Sequence, residues 1–459
     1  MKKTALIQFW NASPHFETSL EIAIKASASS LESLIYCFWG KHIKYNECYR
    51  AHANNLLTKE DKARQLTDSL FEWNFDLPLG VLEKEVEEFN LLSIAHLRRL
   101  QYDSQPLGLY LASALIDRFK SIPDPQEHES IINSMFSTFV TVYLNTLRLI
   151  DDNDITTLIL FNGRHIPYAA ASCAAKRRGI DVKYHERGGN DTRYVLMDDK
   201  VHSLPHYQKL LKDAWDLKPC SNEDAFSIAE SLLKGMINKD SPEAAQYRQF
   251  QKENCLPPIH SSNLNIAYFA SSFDEIRYIS DQSLMPIGAF DDQCAAVLDL
   301  LGCAMKVSLD LNVYVRLHPI IATKKHELDF WRFLYDIYPE NLVVIGPEEP
   351  VDSYELSQRM DLNFAFHSSI GGEIMSLGKP IYTFNSALYD YLYGCTLIKN
   401  SSHLSQVISD RYHGIEAFDS SQVSLSGLRH LYSSKNFGIP YEYYEPLSAY
   451  HGRFLGIQL

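Results

Sequence analysis

Two short stretches in the second half of the chain combine cations, imidazoles and hydroxyls in positions suited to an anion. The first, RLHP, places Arg316 and His318 at the end of a predicted strand, 312–317. Residues two apart in a strand share a face, so both side chains point the same way. The second, HSSIGGE, leads from a predicted strand at 362–366 into a helix. A helix start offers unpaired backbone N–H groups and the positive end of the macrodipole, which suits phosphate.

The residues of HSSIGGE have separate expected roles. Ser368 or Ser369 is expected to cap the helix, and Gly371 with Gly372 to permit close approach of a ligand. Glu373, one turn into the helix, is expected near ribose hydroxyls. The alternative for this stretch is a plain capped helix packed on the sheet. The alternative for RLHP is a strand-end salt bridge beside a surface histidine.

A weaker signal lies at the first strand-to-helix turn of the same half. Ser271 and Ser272 follow a predicted strand at 265–270 and are also candidates to cap a helix. Open α/β sheets bind ligands at the carboxyl ends of their strands, and all three stretches fall at such ends. Together they predict a site for the phosphate of a nucleotide.

In the first half of the chain, two polar motifs each follow a strand. FNGRH ends the predicted strand at 156–161, and HERGG ends the next one at 181–185. A carboxylate beside cations and imidazoles suits acid–base or electrostatic chemistry. The alternative is an ion pair that ties two loops, between Glu186 and either Arg164 or Arg187. The side chains expected to converge at this edge of the sheet are Arg164, His165, His185, Glu186 and Arg187.

A third motif, PHFET, follows the first predicted strand at 4–10 and opens a helix. It places His15 and Glu17 at the same carboxyl edge. Glu17 is a candidate general base for an acceptor hydroxyl. The alternative is that Glu17 is an acidic residue that stabilises the positive end of its helix.

Strand and helix patterns alternate along most of the chain, which indicates parallel sheets with helices on both faces. We predict an α/β fold with two Rossmann-like domains facing each other across a cleft, the first spanning 1–255 with a helical insert at about 57–150. The second spans 262–430 after a linker at 254–263, and 431–459 is expected to pack at the domain junction. Predicted strands are 4–10, 34–39, 156–161, 181–185, 265–270, 312–317, 341–346, 362–366 and 380–384.

Composition excludes several classes of function. The net charge of −14 argues against a general nucleic-acid binder, because phosphate contacts need a basic field. Eight cysteines without a CxxC spacing favour a reducing cytosol over a disulfide framework or a zinc site. The first ten residues read as a buried strand, and no run reaches the roughly 20 apolar residues of a membrane helix. We therefore expect a cytoplasmic protein, a location compatible with peripheral association at the inner face of the cytoplasmic membrane.

At these motifs the chain resembles the capsule polysaccharide biosynthesis family of GT-B glycosyltransferases. These bacterial enzymes include the Kdo transferases of capsule assembly. The matching motifs are spread over residues 14–385, and their order is more specific than any one of them. The motifs are PHFET, FNGR, HERGG, RLHP and HSSIGGE followed by GKP.

The resemblance implies a GT-B-like fold in which the second domain binds a nucleotide-activated sugar, of the CMP-Kdo or UDP-sugar class. The first domain would bind a glycan or glycolipid acceptor of the bacterial cell surface. His318, Ser368, Ser369 and Glu373 would contact the nucleotide phosphate and ribose, with no cofactor and no divalent metal. The sequence agrees with the last point, since it has no convincing DxD-type signature.

The resemblance leaves the acceptor and the stereochemistry open. The insert at 57–150 has no counterpart in the family pattern, so the acceptor cannot be carried over. An inverting reaction needs one base, for which Glu17 and Glu186 are the candidates. A double displacement would need a carboxylate nucleophile instead.

Three other functions fit the same motifs. A CDP-polyol phosphotransferase of teichoic-acid-like polymer synthesis would use His318 or His15 near the transferred phosphoryl group. A nucleotide-sugar epimerase would use the two-domain cleft without an acceptor. An inactive scaffold of a capsule assembly complex would tolerate replacement of Glu17, Glu186 and His318.

Overall fold

The computed structural model divides the chain into two compact units, which we call unit 1 and unit 2. Unit 1 contains the described residues of 2–203 and 436–459, and unit 2 contains those of 204–435. The residues that the structure describes are 2–28, 32–43, 45, 58–199, 203–240, 248–259, 264–272, 290, 293–308, 310–337, 341–448 and 451–459.

The strands of the described residues form three sheets. They are β1 (Lys2–Gln8), β2 (Glu32–Phe38), β3 (Glu72–Asn74), β4 (Thr157–Phe161), β5 (Asp181–Arg187), β6 (Arg193–Met197), β7 (Leu264–Phe269), β8 (Leu311–Arg316), β9 (Leu342–Ile345), β10 (Leu362–Ala365), β11 (Ile381–Thr383), β12 (Cys395–Leu397), β13 (Ile439–Pro440), β14 (Tyr444–Ser448), β15 (His451–Phe454) and β16 (Ile457–Gln458).

The α-helices of the same residues cover the two large sheets. They are α1 (His15–Ser27), α2 (Lys59–Thr67), α3 (Ile94–Leu97), α4 (Leu107–Phe119), α5 (Glu129–Asn153), α6 (Ile166–Arg178), α7 (Leu204–Asp216), α8 (Asn222–Asn238), α9 (Gln293–Val307), α10 (Lys325–Ile337), α11 (Ser353–Arg359), α12 (Ile370–Ser376), α13 (Ser401–Tyr412) and α14 (Ser420–Asn436). None of the helices in the described part of the chain combines the length and apolar character needed to cross a bilayer.

Unit 1 contains a seven-stranded sheet in the order β13-β6-β5-β4-β1-β2-β3. β1 to β5 are parallel to one another. At one edge of the sheet, β6 is antiparallel to β5, and β13 is antiparallel to β6. Three consecutive residues of β1, Ala5, Leu6 and Ile7, are fully buried, so apolar groups cover both faces of the sheet. β14, β15 and β16 form a small antiparallel sheet of their own.

Unit 2 contains a six-stranded sheet in the order β12-β11-β10-β7-β8-β9, and every strand pair in it is parallel. In both units the first strand, β1 or β7, lies in the middle of the sheet. The next two strands are added on one side of it, and the fourth strand, β4 or β10, is added on its other side. This is the Rossmann order. The predicted α/β class with two Rossmann-like units is therefore confirmed, and each predicted strand is found close to its predicted place.

The insert of unit 1 is less helical than the sequence indicated for 57–150. α4 and α5 are present, but residues 80–87 run alongside α5 outside any helix. Polar side chains spaced four residues apart on α5 satisfy the backbone of this segment and replace the partners that a helix would supply. Asn133 accepts the N–H of Val86, and Ser137 accepts the N–H of Lys84. Thr141 accepts the N–H of Leu82, and Asn145 accepts the N–H of Leu79. The four donor–acceptor distances are 2.7–3.0 Å.

The structure also divides the chain at a different place from the predicted boundary at residue 255. Residues 204–255, which the sequence analysis assigned to the first domain, group with unit 2 where the structure describes them. The reason is apolar packing: Trp215 of α7 and Ala229 and Leu233 of α8 share a cluster with Leu431 and Tyr432 of α14. Residues 260–263 of the predicted linker lie outside the described residues.

The end of the chain belongs to unit 1, and α14 up to Lys435 belongs to unit 2. β13 pairs with β6, and the fully buried carboxylate of Glu21 accepts the backbone N–H groups of Glu442 and Tyr443, both at 2.8 Å. Residues 431–459, predicted as one segment, are thus divided between the two units.

Within unit 2, α14 crosses the end of α12 at very short range. Ser424 donates to the carbonyl of Ser376 at 2.9 Å, and Ser420 donates to that of Gly378 at 2.8 Å. At Gly427 an added Cβ would overlap the backbone of Met375 and Ser376. The contact therefore requires glycine at this position, and it fixes the helix that follows β10.

We predict that Gly427→Ala destabilises the protein, because backbone atoms of α12 cannot yield as a flexible side chain would. An overpacked contact of this kind costs about 1–3 kcal/mol. Gly302→Ala in α9 is the matched control, since an added Cβ there meets nothing within 4 Å. That change is expected to stabilise the helix by about 0.5–1 kcal/mol. Thermal unfolding of both variants checks the pair, and equal midpoints would contradict the account.

Candidate active site

The order of the strands locates a candidate site in each unit. A parallel sheet binds ligands outside the carboxyl ends of its strands, at the point where the strand order reverses. In unit 1 this point lies between β1 and β4, so the segments that follow those strands border it. In unit 2 it lies between β7 and β10. The motifs identified in the sequence follow these strands or their immediate neighbours, β5 and β8.

In unit 1, three elements bring His15 and Glu186 together. His15 opens α1, and its Nδ1 atom lies 3.7 Å from Oε1 of Glu186 on β5. Asn162, which follows β4, donates from Nδ2 to Oε2 of Glu186 at 2.7 Å, and the backbone N–H of Arg187 donates to Oε1 at 2.9 Å. The side chains of His15 and Glu186 retain 17% and 16% exposure, so both can be reached from solvent.

Burial shifts the pKa values of both members of this pair toward their neutral forms. Desolvation raises the pKa of Glu186, although two hydrogen bonds and the charges of Arg187 and Arg164 act against it. Desolvation lowers the pKa of His15 well below its usual value, and the charges of Arg187, His185 and Lys59 act in the same direction. His15 is therefore a neutral imidazole at pH 7, able to accept a proton.

Aromatic rings surround the pair on the sheet side. The His15 ring lies 4.2 Å from the ring of Phe161, and the His165 ring lies 4.3 Å from that of Trp10. His185, which the sequence placed with these residues, is fully buried, and burial lowers its pKa to about 3. Neither ring nitrogen of His185 has a hydrogen-bond partner, so this histidine acts as a neutral core residue and cannot line a cleft.

Arg164 does not form the ion pair with Glu186 that the sequence left open. Both terminal nitrogens of its guanidinium donate to Oδ2 of Asp117 on α4, at 3.1 Å each. Its backbone N–H donates to Oδ1 of Asn162 at 3.2 Å. Sequence reasoning missed Asp117, because no motif marks it and it lies in the insert, 47 residues from its partner.

Glu17 is engaged by the protein itself. Its Oε1 atom lies 2.6 Å from Nζ of Lys59 on α2 and accepts the hydroxyl of Ser13 at 2.7 Å. Glu17 and Lys59 are only 2% and 7% exposed. This buried ion pair ties α1 to α2, a contact that neither interpretation of Glu17 in the sequence analysis anticipated.

In unit 2, Arg316 also has a structural position. Its guanidinium donates to the carbonyls of Gly346 and Glu349 and to the hydroxyl of Ser353, and so braces the loop after β9. Burial lowers its pKa to about 10, which leaves it charged at pH 7. Arg316 is 3% exposed and points into this loop.

His318 follows β8 and is partly exposed. Its Nδ1 accepts the backbone N–H of Ile320 at 3.2 Å, so the proton of the neutral ring resides on Nε2. Burial, with the charges of Arg316 and Lys324, lowers its pKa to about 4. At neutral pH, His318 is therefore an uncharged imidazole with its proton on Nε2.

Ser271 and Ser272, after β7, are held by two different helices. Gln293 of α9 accepts the backbone N–H of Ser271 and donates to its carbonyl, whereas the buried hydroxyl oxygen of Ser271 has no partner. The Ser272 hydroxyl donates to Glu327 at 2.8 Å and accepts from the ammonium group of Lys324. Residues 273–275, which continue this turn, lie outside the described residues.

The start of α12 differs in detail from the expectation. No side chain caps the helix at Ser369, and the backbone N–H groups of Gly371 and Gly372 donate to the carbonyls of Ser368 and Ser369. Protein packing by itself requires both glycines. An added Cβ would overlap the ring of Tyr389 at Gly371 and that of His430 at Gly372.

Glu373 is likewise in contact with the protein. It lies on α12 and accepts the phenol of Tyr354 at 2.7 Å, while the guanidinium of Arg248 stacks over the Tyr354 ring at 4.4 Å. Among the described residues, no group of three or more histidine, cysteine or acidic side chains is arranged to hold a metal ion.

Comparison with known proteins gave structural matches only. No family model and no curated protein matches the chain. A β-Kdo 2,4 transferase, KpsC of Thermosulfurimonas dismutans, is 14% identical at a TM-score of 0.36, covering 60% of this chain and 79% of its own. UDP-GlcNAc 2-epimerase of Neisseria meningitidis, solved with UDP-GlcNAc, is 12% identical at a TM-score of 0.27, covering 93% and 97%.

A third match, MurG of Acinetobacter baumannii, is 11% identical at a TM-score of 0.27, covering 95% of this chain and 96% of its own. At these identities and TM-scores the matches assign neither an activity nor a residue to this chain. The description of its site therefore depends on its own geometry.

The environment of Glu186 predicts a pH-dependent effect of Glu186→Gln on stability. Burial holds the pKa of the folded protein above the ordinary value of 4.5, so folding favours the protonated carboxyl. The wild type therefore loses stability relative to the uncharged variant as pH rises through 4.5 and beyond. Thermal midpoints measured from pH 4 to 8 should show the difference, variant minus wild type, increasing with pH.

Glu88→Gln is the control for this measurement, since Glu88 is exposed. Its midpoint should follow that of the wild type throughout the pH range. A difference between Glu186→Gln and wild type that stays constant with pH, or falls as pH rises, would contradict the raised pKa.

Proposed function

We propose that this protein is a glycosyltransferase that moves a sugar from a nucleotide-activated donor to a bacterial surface polysaccharide or glycolipid. The donor belongs to the CMP-Kdo or UDP-sugar class. The observation that carries the proposal is the His15–Glu186 pair at the strand reversal of unit 1. Unit 2 also has polar residues at strand ends next to its reversal point. In this proposal it supplies the nucleotide-binding half of the enzyme.

In this proposal His15 accepts the proton of the acceptor hydroxyl as that oxygen attacks the anomeric carbon. The bond between the anomeric carbon and the phosphate oxygen of the nucleotide breaks, and the nucleotide leaves with its electron pair. A neutral imidazole with a carboxylate at Nδ1 keeps its lone pair on Nε2, and the carboxylate stabilises the imidazolium that forms. The 3.7 Å separation from Glu186 is longer than a hydrogen bond, and such contacts often shorten when substrate binds. Asn162 and the N–H of Arg187 keep Glu186 in place for this role.

Unit 2 binds the nucleotide in this proposal. His318 after β8 and Ser271 after β7 are the candidate phosphate-binding residues at strand ends next to the reversal. Ser368 and Ser369 lie at the neighbouring end of β10 and complete the expected phosphate contacts. Arg316 and Glu373 stabilise these loops through hydrogen bonds to other protein groups.

The donor half of the proposal places the protein in the cytoplasm, where nucleotide-activated sugars are made. A glycolipid acceptor would bring it to the inner face of the cytoplasmic membrane as a peripheral protein. The sugar and the acceptor are both to be identified by experiment.

The proposal predicts that His15→Gln and Glu186→Gln abolish turnover but leave nucleotide binding intact. Loss of a general base lowers the rate by roughly 10²–10⁴-fold, so nucleotide release from CMP- and UDP-sugars should fall by at least about a hundredfold. Release is measured with membrane glycolipid as acceptor, and nucleotide affinity is measured separately. His451→Gln, an exposed histidine of unit 1, is the control and should retain full activity.

Two outcomes would overturn this assignment. Full activity in both His15→Gln and Glu186→Gln would exclude the pair as the catalytic base. Conversion of a nucleotide sugar into its epimer without acceptor would make the protein an epimerase, and transfer of a polyol phosphate would make it a phosphotransferase.

A further inference from the structure

A series of polar contacts leads from the helical insert of unit 1 to Glu186, the carboxylate beside the candidate base His15. Asp117 of α4 binds both terminal nitrogens of Arg164, and the backbone N–H of Arg164 donates to Asn162. Asn162 in turn donates to Glu186. Asp117 and Arg164 are 18% and 12% exposed, so this ion pair is much less screened by water than a surface pair.

The backbone between β4 and α6 makes these contacts possible. Asn162 adopts a left-handed conformation at φ 56° and is followed by Gly163 at φ 78°. An added Cβ at Gly163 would meet the ring of Tyr184. The turn therefore points the Asn162 side chain at Glu186 and returns the chain so that the Arg164 side chain reaches α4.

We propose that Asp117 is a positioning residue of the active site, which holds the Arg164 guanidinium on α4 and so sets the charge that Glu186 experiences. The inference rests on the proposed function for its catalytic meaning, but the electrostatic coupling itself does not. It gives the insert, which sequence reasoning could not assign, a part in the chemistry of the site.

The charged groups around Glu186 determine the direction of the effect. Arg187 and Arg164 favour its charged form, and His15 faces its Oε1 atom. Lys59 and His185 act on His15 from the other side. Asp117 accepts from both terminal nitrogens of Arg164, so its carboxylate offsets part of the positive charge that Arg164 exerts on Glu186.

Asp117 is itself held as a carboxylate. The charges of Arg164 and Lys120 hold its pKa below the ordinary value of 3.8 despite burial, and His165 acts in the same direction. Lys120 Nζ lies 2.5 Å from the other oxygen, Oδ1. Asp117 therefore stays negative over the whole range in which Glu186 titrates.

The proposal is tested by replacing each member of the Asp117–Arg164 ion pair in turn. The two replacements should shift the titration midpoint of Glu186 in opposite directions. Asp117→Asn removes the negative charge that both terminal nitrogens of Arg164 contact, so the titration midpoint of Glu186 should fall by about half a pH unit or more. Arg164→Gln removes a cation near Glu186 and leaves Asp117 paired with Lys120, so the midpoint should rise by a similar amount. Carbon-13 NMR of the glutamate carboxyls in the full-length protein reports the midpoint, and loss of a resonance in Glu186→Gln assigns it.

Two further variants separate positioning from simple support of the fold. Asp151→Asn breaks another acid–arginine pair of unit 1, in which Arg178 donates to Asp151 at 2.7 Å through two nitrogens. Asp151 lies near the amino end of β4, the edge of the sheet away from Glu186, so the midpoint should not move. Asp117→Glu keeps the carboxylate and should restore the wild-type midpoint.

Shifts in the same direction for Asp117→Asn and Arg164→Gln, or no shift in either, would overturn the proposal. The NMR titration requires no substrate, so it tests the effect of Asp117 on Glu186 independently of whether the protein transfers sugar. If the protein transfers sugar, the acid limb of its pH–rate profile should move with the NMR midpoint in each variant. A profile that stays fixed while the midpoint moves would show that Asp117 positions a residue outside the chemistry.

Discussion

The account of this protein depends on one constraint, the burial of a carboxylate beside an imidazole where a parallel sheet reverses its strand order. A carboxylate removed from water is destabilising unless hydrogen bonds and charges compensate it. Glu186 receives hydrogen bonds from Asn162 and from the N–H of Arg187, and the charges of Arg187 and Arg164 also favour its ionised form. Its pKa is still raised. The fold therefore maintains a destabilising arrangement at a place that solvent can reach, which is typical of functional sites.

Much of the remaining polar chemistry stabilises the two sheets and their loops. The Glu17–Lys59 pair, the contacts of Arg316 and the bond from Tyr354 to Glu373 all satisfy buried groups within one unit. In the sequence these residues resemble ligand-binding residues, because the same residue types bind ligands and stabilise loops. Burial separates Glu17 and Arg316, which are at most 3% exposed, from His15 and Glu186, whose side chains keep 17% and 16% exposure.

The strands could be predicted from sequence because they are short apolar runs bounded by turn residues, whereas the order of the strands in each sheet was not predicted. His15, Glu186 and His318 could also be placed, since each directly follows or ends a predicted strand. Asp117, Lys59 and Lys324 could not, because each finds its partner through packing between distant segments. The glycines of α12 were interpreted as room for a ligand, since no local pattern shows the rings that pack on them.

The central claim is that unit 2 binds the nucleotide of an activated sugar, and calorimetry with CMP, CDP, UDP and GDP tests it most directly. The account predicts selective binding of CMP or UDP, weakened about tenfold or more in His318→Ala, a loss of roughly 1.4 kcal/mol. A preference for CDP would point to polyol phosphate transfer instead. Absence of binding for all four nucleotides by the folded protein would contradict the account.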